Sequence, residues 1–183
     1  MPETAPNPSS SPAPGIPPVD PNALVKTAVA VLTAPAAFFK SIKDDKGFQK
    51  PLVFSFAVWA VYAVFRLLYP LFHLQIVGVI ATIIGAAIGA VLTPFLGGII
   101  LWAICMAFGS KATWERAVPI AAYSSVVGIV SGVASLLLIV SWALAPLVML
   151  IGLVAWIYGI YLCYVGAKAI MFEPAPEPPK PSA

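Results

Sequence analysis

QIVGVIATIIGAAIGAVLTPFLGGIILWAICMAF, residues 75–108, holds thirty-four residues without one Asp, Glu, Lys or Arg. A bilayer helix needs only about 20 apolar residues, and no soluble domain hides such a run. The stretch is therefore membrane-embedded, and the number of times it crosses sets the topology of the chain. A split at Thr93-Pro94 leaves a second half of fourteen residues, 95–108. At 1.5 Å per residue that is roughly 21 Å, short of the ~30 Å hydrocarbon core. Pro94 is instead expected to kink one long helix, by removing a donor and crowding the carbonyl of Ala90.

The rest of the chain is built to match. Hydrophobic residues make up 61% and charged residues 9%, against about 25% charged in soluble domains. The first span runs from about Pro51 to Tyr69, with Pro51 suited to its first turn and Pro70 ending it or opening the next turn. Its one charge, Arg66, lies near the far interface, where it can snorkel. Residues 109–116, GSKATWER, form a polar connection. From Ala117 to Ala169 the only charge is Lys168, and SWALAP at 141–146 divides this run into spans of about 118–140 and 145–169. Four spans put the Lys-rich segment before Pro51, the 109–116 loop and Lys168 on one side, and the turns at 70–75 and 141–145 carry no full charge. That satisfies the positive-inside rule, with both termini cytoplasmic in a cell (inner) membrane. Five spans, the alternative, would break it.

Residues 1–22 hold eight prolines and almost no large apolar side chains, so a disordered tail is expected, as it is for 173–183. Asn22 is placed to cap a helix beginning at Ala23. Residues 23–50 read as an amphipathic interfacial segment: Leu24, Val25, Ala28, Val29 and Leu32 share a face, and Pro35 restarts the pattern. Two placements remain open. In one, Phe38 and Phe39 wedge into the cytoplasmic leaflet while Lys26, Lys40, Lys43, Lys46 and Lys50 meet lipid phosphates. In the other, the same apolar face docks on the bundle.

The spans carry small-residue stripes. Gly85 and Gly89 form one GxxxG, Gly128 and Gly132 another, and Gly152, Gly159 and Gly166 recur every seven residues. Small residues let backbones approach, which is what holds helices together in lipid. Packing within one chain is the first expectation, and homo-oligomerisation or contact with other membrane proteins the sharper one.

Between residues 51 and 172 the one acidic residue is Glu115, in a loop. No carboxylate is available for a proton relay at membrane depth, and no HExxH, no Cys/His cluster and no phosphate loop occurs. Cys105 and Cys163 both fall in apolar runs and are expected to stay unpaired. The sequence thus predicts no enzyme, no catalytic or metal-binding residues, no cofactor and no nucleic-acid partner.

Three stretches carry a resemblance. LTAPAAFFKSIKDDKGFQKPLVF (32–54), ATWERAVPIAAYSSV (112–126) and WIYGIYLCYVGAKAI (156–170) resemble, in order and spacing, the Yip1 family of small multi-pass membrane proteins. The resemblance covers roughly residues 24–170 and implies an all-α membrane bundle without catalytic machinery. The acidic Asp-Leu-Tyr-Gly-Pro segment of eukaryotic members has no counterpart here, so their small-GTPase role is not carried over. Those members are usually drawn with five spans. The form here resembles the prokaryotic branch. The expected function is a membrane scaffold or adaptor acting through helix packing. The alternative is a transporter or channel subunit for a small neutral solute, which rests on the Pro94-interrupted helix and the Gly-rich spans.

Overall fold

The structure is a computed structural model that describes residues 20–45 and 47–172. The Pro-rich tails and Lys46 lie outside the described residues. Two short helices, α1 (Pro21–Thr33) and α2 (Pro35–Ser41), precede the spans. Then come α3 (Gln49–Phe72), α4 (Ile76–Ala107), α5 (Trp114–Ser124), α6 (Val127–Ala134), α7 (Leu137–Val140) and α8 (Ala145–Ile170). Helices α5 to α7 are one interrupted span, so four stretches are long and apolar enough to cross a membrane: Gln49–Phe72, Ile76–Ala107, Trp114–Val140 and Trp142–Ile170. The fold is an all-α, four-span bundle.

The opening stretch is a single helix of 32 residues with Pro94 inside it. At 1.5 Å per residue α4 is about 48 Å long, more than a bilayer core requires. Proline cannot bond to the carbonyl four residues back, and in lipid no water replaces the lost partner. Here the replacement comes from the neighbouring span. The Ser55 hydroxyl of α3, wholly buried, donates to the Ala90 carbonyl at 3.2 Å.

The third span does not run unbroken from 118 to 140. It begins earlier, at Trp114, and tightens into three-residue turns around Ser125 and Ser135. Each serine bonds the carbonyl three residues back, Ser125 to Ala122 and Ser135 to Gly132, both at 2.6 Å. Such back-bonding competes with the regular ladder and bends helices. Periodicity does not reveal this, because the apolar pattern continues through both turns.

Caps correct two further expectations. Asp20, not Asn22, caps α1, accepting from the Asn22 N–H at 2.9 Å. Pro70 lies inside α3, which continues to Phe72. At the 141–146 junction, extended Ser141 accepts from the Ala143 N–H at 3.1 Å, and Pro146 sits in the first turn of α8.

The first turns of α3 and α5, the end of α4 and the end of α8 gather at one face of the bundle, with residues from all four regions around one cavity. At the opposite face the Trp142 indole donates to the Tyr69 hydroxyl, and Tyr69 packs on His73 with ring centroids 4.6 Å apart. The basic residues Lys43, Lys50, Lys111 and Arg116 therefore share a face.

The Ser55 bond is testable. Interhelical side-chain bonds in membranes contribute about 1–2 kcal/mol at the upper end, and a carbonyl orphaned by proline belongs there. Ser55→Ala is expected to lower stability to reversible denaturation in detergent by about that amount. In a Pro94→Ala background, where residue 94 regains its N–H, the same substitution should cost clearly less. Equal costs in both backgrounds would mean that the serine does not act on the Ala90 carbonyl.

Candidate functional site

The seven glycines of the stripes divide into two groups. A Cβ on Gly89 would lie 2.7 Å from the Trp59 ring. On Gly132 it would meet the Tyr62 backbone at 3.3 Å, and on Gly159 the Val127 side chain at 3.3 Å. On Gly166 it would lie 2.6 Å from Ile120 Cγ2 and 3.2 Å from the Phe39 ring. These four stand where another element of the same chain comes close. Gly85, Gly128 and Gly152 meet nothing within 4 Å. Gly98, which the stripes do not include, is tighter than Gly132 or Gly159, its Cβ position 2.8 Å from the Val118 backbone. The signal for it was the Gly97-Gly98 pair one turn after Pro94.

The N-terminal segment takes the bundle-docked placement. Phe39 is 0% exposed and lies over Gly166, and Val31 is equally buried. Phe38 is half-buried, edge-on to Tyr123 at a centroid distance of 4.9 Å. Of the two placements left open, Phe39 shows the docked one: the gap left by the missing Gly166 side chain takes its ring into the bundle. Tyr158 of α8 fixes the junction, donating to the Leu32 carbonyl in the last turn of α1 at 2.7 Å, where helix carbonyls lack intrahelical donors. Lys26 and Lys40 stay on exposed faces, and Lys43 is half-buried. Arg66 is exposed on α3, away from the basic face.

Where the connections meet, they enclose a basin of about 1130 Å³. One wall is the α2–α3 connection with Lys43, Asp44 and Asp45; another is the α4–α5 connection with Lys111, continued by Glu115 and Arg116. Tyr123, Pro119 and Met171 also line it. Phe48 stacks on Trp114 at 5.8 Å and 17°, which ties the two connections together. Ser110 holds the second connection to α8, donating to the Met171 carbonyl at 3.0 Å and accepting from the Ala112 N–H at 3.2 Å. Trp102 donates to the Ala112 carbonyl at 3.0 Å. Lys50 pairs with Asp45 at 3.1 Å.

Sequence reading missed Ser55, Trp102, Ser110 and Tyr158. For Ser55 a signal existed: Pro94 announces a stranded carbonyl, and Ser55 is the one serine of the first span. Cys105 and Cys163 are free thiols. No cluster of three or more His, Cys, Asp or Glu side chains able to hold a metal occurs among the described residues.

No curated protein and no solved structure matches the chain. The family model of the Yip1 domain matches residues 29–174, from the second half of α1 to just past α8. The match takes in the docked α2, all four spans and both walls of the basin, and the chain is accordingly a member of the Yip1 domain family, an integral membrane protein whose helices contact the lipid bilayer.

Proposed function

We propose that this protein is a non-enzymatic membrane scaffold or adaptor that associates laterally, with itself or with other membrane proteins, through its outer helix faces. The observation that carries this reading is the division of the glycines. Four are consumed by close approach inside the chain, while Gly85 on α4 and Gly152 on α8 remain uncovered among exposed apolar neighbours. Met149 and Trp156, which flank Gly152, are 75% and 64% exposed, and Ile84 and Ile88 flank Gly85 in the same way. A helix that keeps a glycine on its outer face offers a second helix the same short approach that Gly166 offers Phe39. The described part of the membrane interior holds Arg66 and no carboxylate, so proton-relay and ion-site chemistry has no support there. The charged basin opens at the basic face and so lends the solute-channel alternative no support. Orientation belongs to the same proposal: the basic face is cytoplasmic, in the cell (inner) membrane, and both termini lie on that side.

Gly166→Leu should overpack the α5–α8 contact and destabilise the monomer by about 1–3 kcal/mol, read as a lower melting temperature. Gly85→Leu and Gly152→Leu should leave that temperature within a degree or two. They should instead reduce the fraction of cross-linked or energy-transfer-competent pairs in membranes severalfold. Unchanged association in both variants, or no association in the wild type with itself or any membrane protein, would remove the scaffold reading.

Protease access to tags at each terminus, in sealed vesicles of both orientations, checks topology. Both tags are expected to be cut only in inside-out vesicles; tags on opposite sides would defeat the orientation.

A further inference from the structure

Among the described residues, the basin at the basic face is lined by four basic and three acidic side chains: Lys43, Lys50, Lys111 and Arg116 against Asp44, Asp45 and Glu115. Internal pairing accounts for part of this. Lys50 and Asp45 neutralise one another, whereas Lys111, Arg116, Asp44 and Glu115 form no ion pair among the described residues. Lys111 and Arg116 stand on the α4–α5 side of the basin, where Glu115 offsets one of the two charges, and Asp44 stands on the α2–α3 side. A purely anionic ligand would meet Asp44, and a purely cationic one would meet Lys111 and Arg116. A ligand carrying both charges a few ångströms apart satisfies both walls.

The backbone adds to the anionic end. Helix α5 starts at Trp114, and its N-cap Thr113 makes no side-chain capping bond. The start of this 11-residue helix stands on the same wall as Lys111 and Arg116, with Thr113 and Glu115 also lining the basin and the positive end of the helix dipole behind them; the Arg116 N–H is already taken by the Thr113 carbonyl at 3.1 Å. Glu115 in that turn already answers part of the dipole, so the two side chains carry the larger share of the attraction.

Position decides the kind of molecule. The basin lies where α3 and α5 begin and α4 and α8 end, the level at which a lipid places its headgroup. Apolar Pro51, Pro119, Ile170 and Met171 line it beside the charges, as suits a headgroup that carries acyl chains.

We propose that this basin is a binding site for a phosphate group bearing a primary ammonium, the headgroup chemistry of an aminophospholipid. Lys111, Arg116 and the α5 first turn hold the phosphate, and Asp44 holds the ammonium. The same chemistry exists in soluble phosphoethanolamine, so the test separates the two sources.

The full-length protein is placed in nanodiscs of phosphatidylcholine doped with phosphatidylethanolamine or with phosphatidylglycerol, and retained lipid is counted by native mass spectrometry after release. Retention of phosphatidylethanolamine over both other lipids is expected. Lys111→Gln with Arg116→Gln should lower that retention about tenfold, the loss of charge-assisted bonds. Asp44→Asn should abolish the preference over phosphatidylglycerol without lowering phosphatidylglycerol retention. All three side chains are exposed, so the variants should keep the wild-type melting temperature, which is measured alongside. Millimolar phosphoethanolamine that displaces the lipid fully would assign the site to the soluble compound instead. Equal retention of the three lipids by the wild type, or retention indifferent to the substitutions in stable variants, would overturn the proposal.

Discussion

A proline inside a membrane helix strands a carbonyl that water cannot reach, and α4 is arranged around that constraint. Pro94 removes the donor for Ala90, and the Ser55 hydroxyl supplies another at 3.2 Å. Ser55 and Pro94 are both fully buried, so α3 and α4 are held in register where the long helix is weakest. The same solution recurs at helix ends. Tyr158 serves the last turn of α1, Ser110 the end of α8, and Trp102 the loop carbonyl of Ala112. In each case a hydroxyl or indole of one segment completes the backbone of another. In lipid, where apolar contact alone does not drive helices together, such bonds help to fix which helix neighbours which.

Close approach supplies the second principle. Where a side chain would sit 2.6 Å from Ile120, glycine at 166 lets α8 meet α5 and leaves room for the Phe39 ring. The consequence reaches beyond packing. With α2 pinned by Phe39 and Phe38, the α2–α3 connection is held against the α4–α5 connection, and the Phe48–Trp114 stack closes the contact. The charged basin is thus a by-product of one glycine and four aromatic rings. Its walls inherit whatever charges the two connections carry. The proposed lateral association and the proposed headgroup binding would use different surfaces: the outer faces of α4 and α8 for one, the loop face for the other.

How much of this was legible before the structure varies by kind of signal. Charge-free length announced α4 and the later spans, and the placement of Lys and Arg gave the parity of crossings, because both depend on transfer free energies that each segment carries alone. The start of the third span was read four residues late, since Trp114, Glu115 and Arg116 resemble a loop until Ala117, Val118 and Ile120 are seen buried behind them. The docking of Phe39 was left open because an apolar face is the same face whether it meets lipid or protein. The glycine stripes were visible, but GxxxG spacing cannot say that Gly89 is covered and Gly85 is not.

The sequence by itself determined that this chain lies in a membrane and that Pro94 falls within a charge-free run, it favoured four crossings over five, and it placed Lys43, Lys50, Lys111 and Arg116 on one face. These follow from composition, length and backbone chemistry, which need no knowledge of neighbours. Only the tertiary structure decided that Ser55 answers Pro94, that Phe39 fills the space over Gly166, which glycines remain free, and that Asp44 shares a basin with Lys111 and Arg116. Each of these joins residues dozens of positions apart, and in an apolar medium many helix pairings bury similar surface. The choice among them rests on a few directional bonds and close contacts, which exist only once the helices have met.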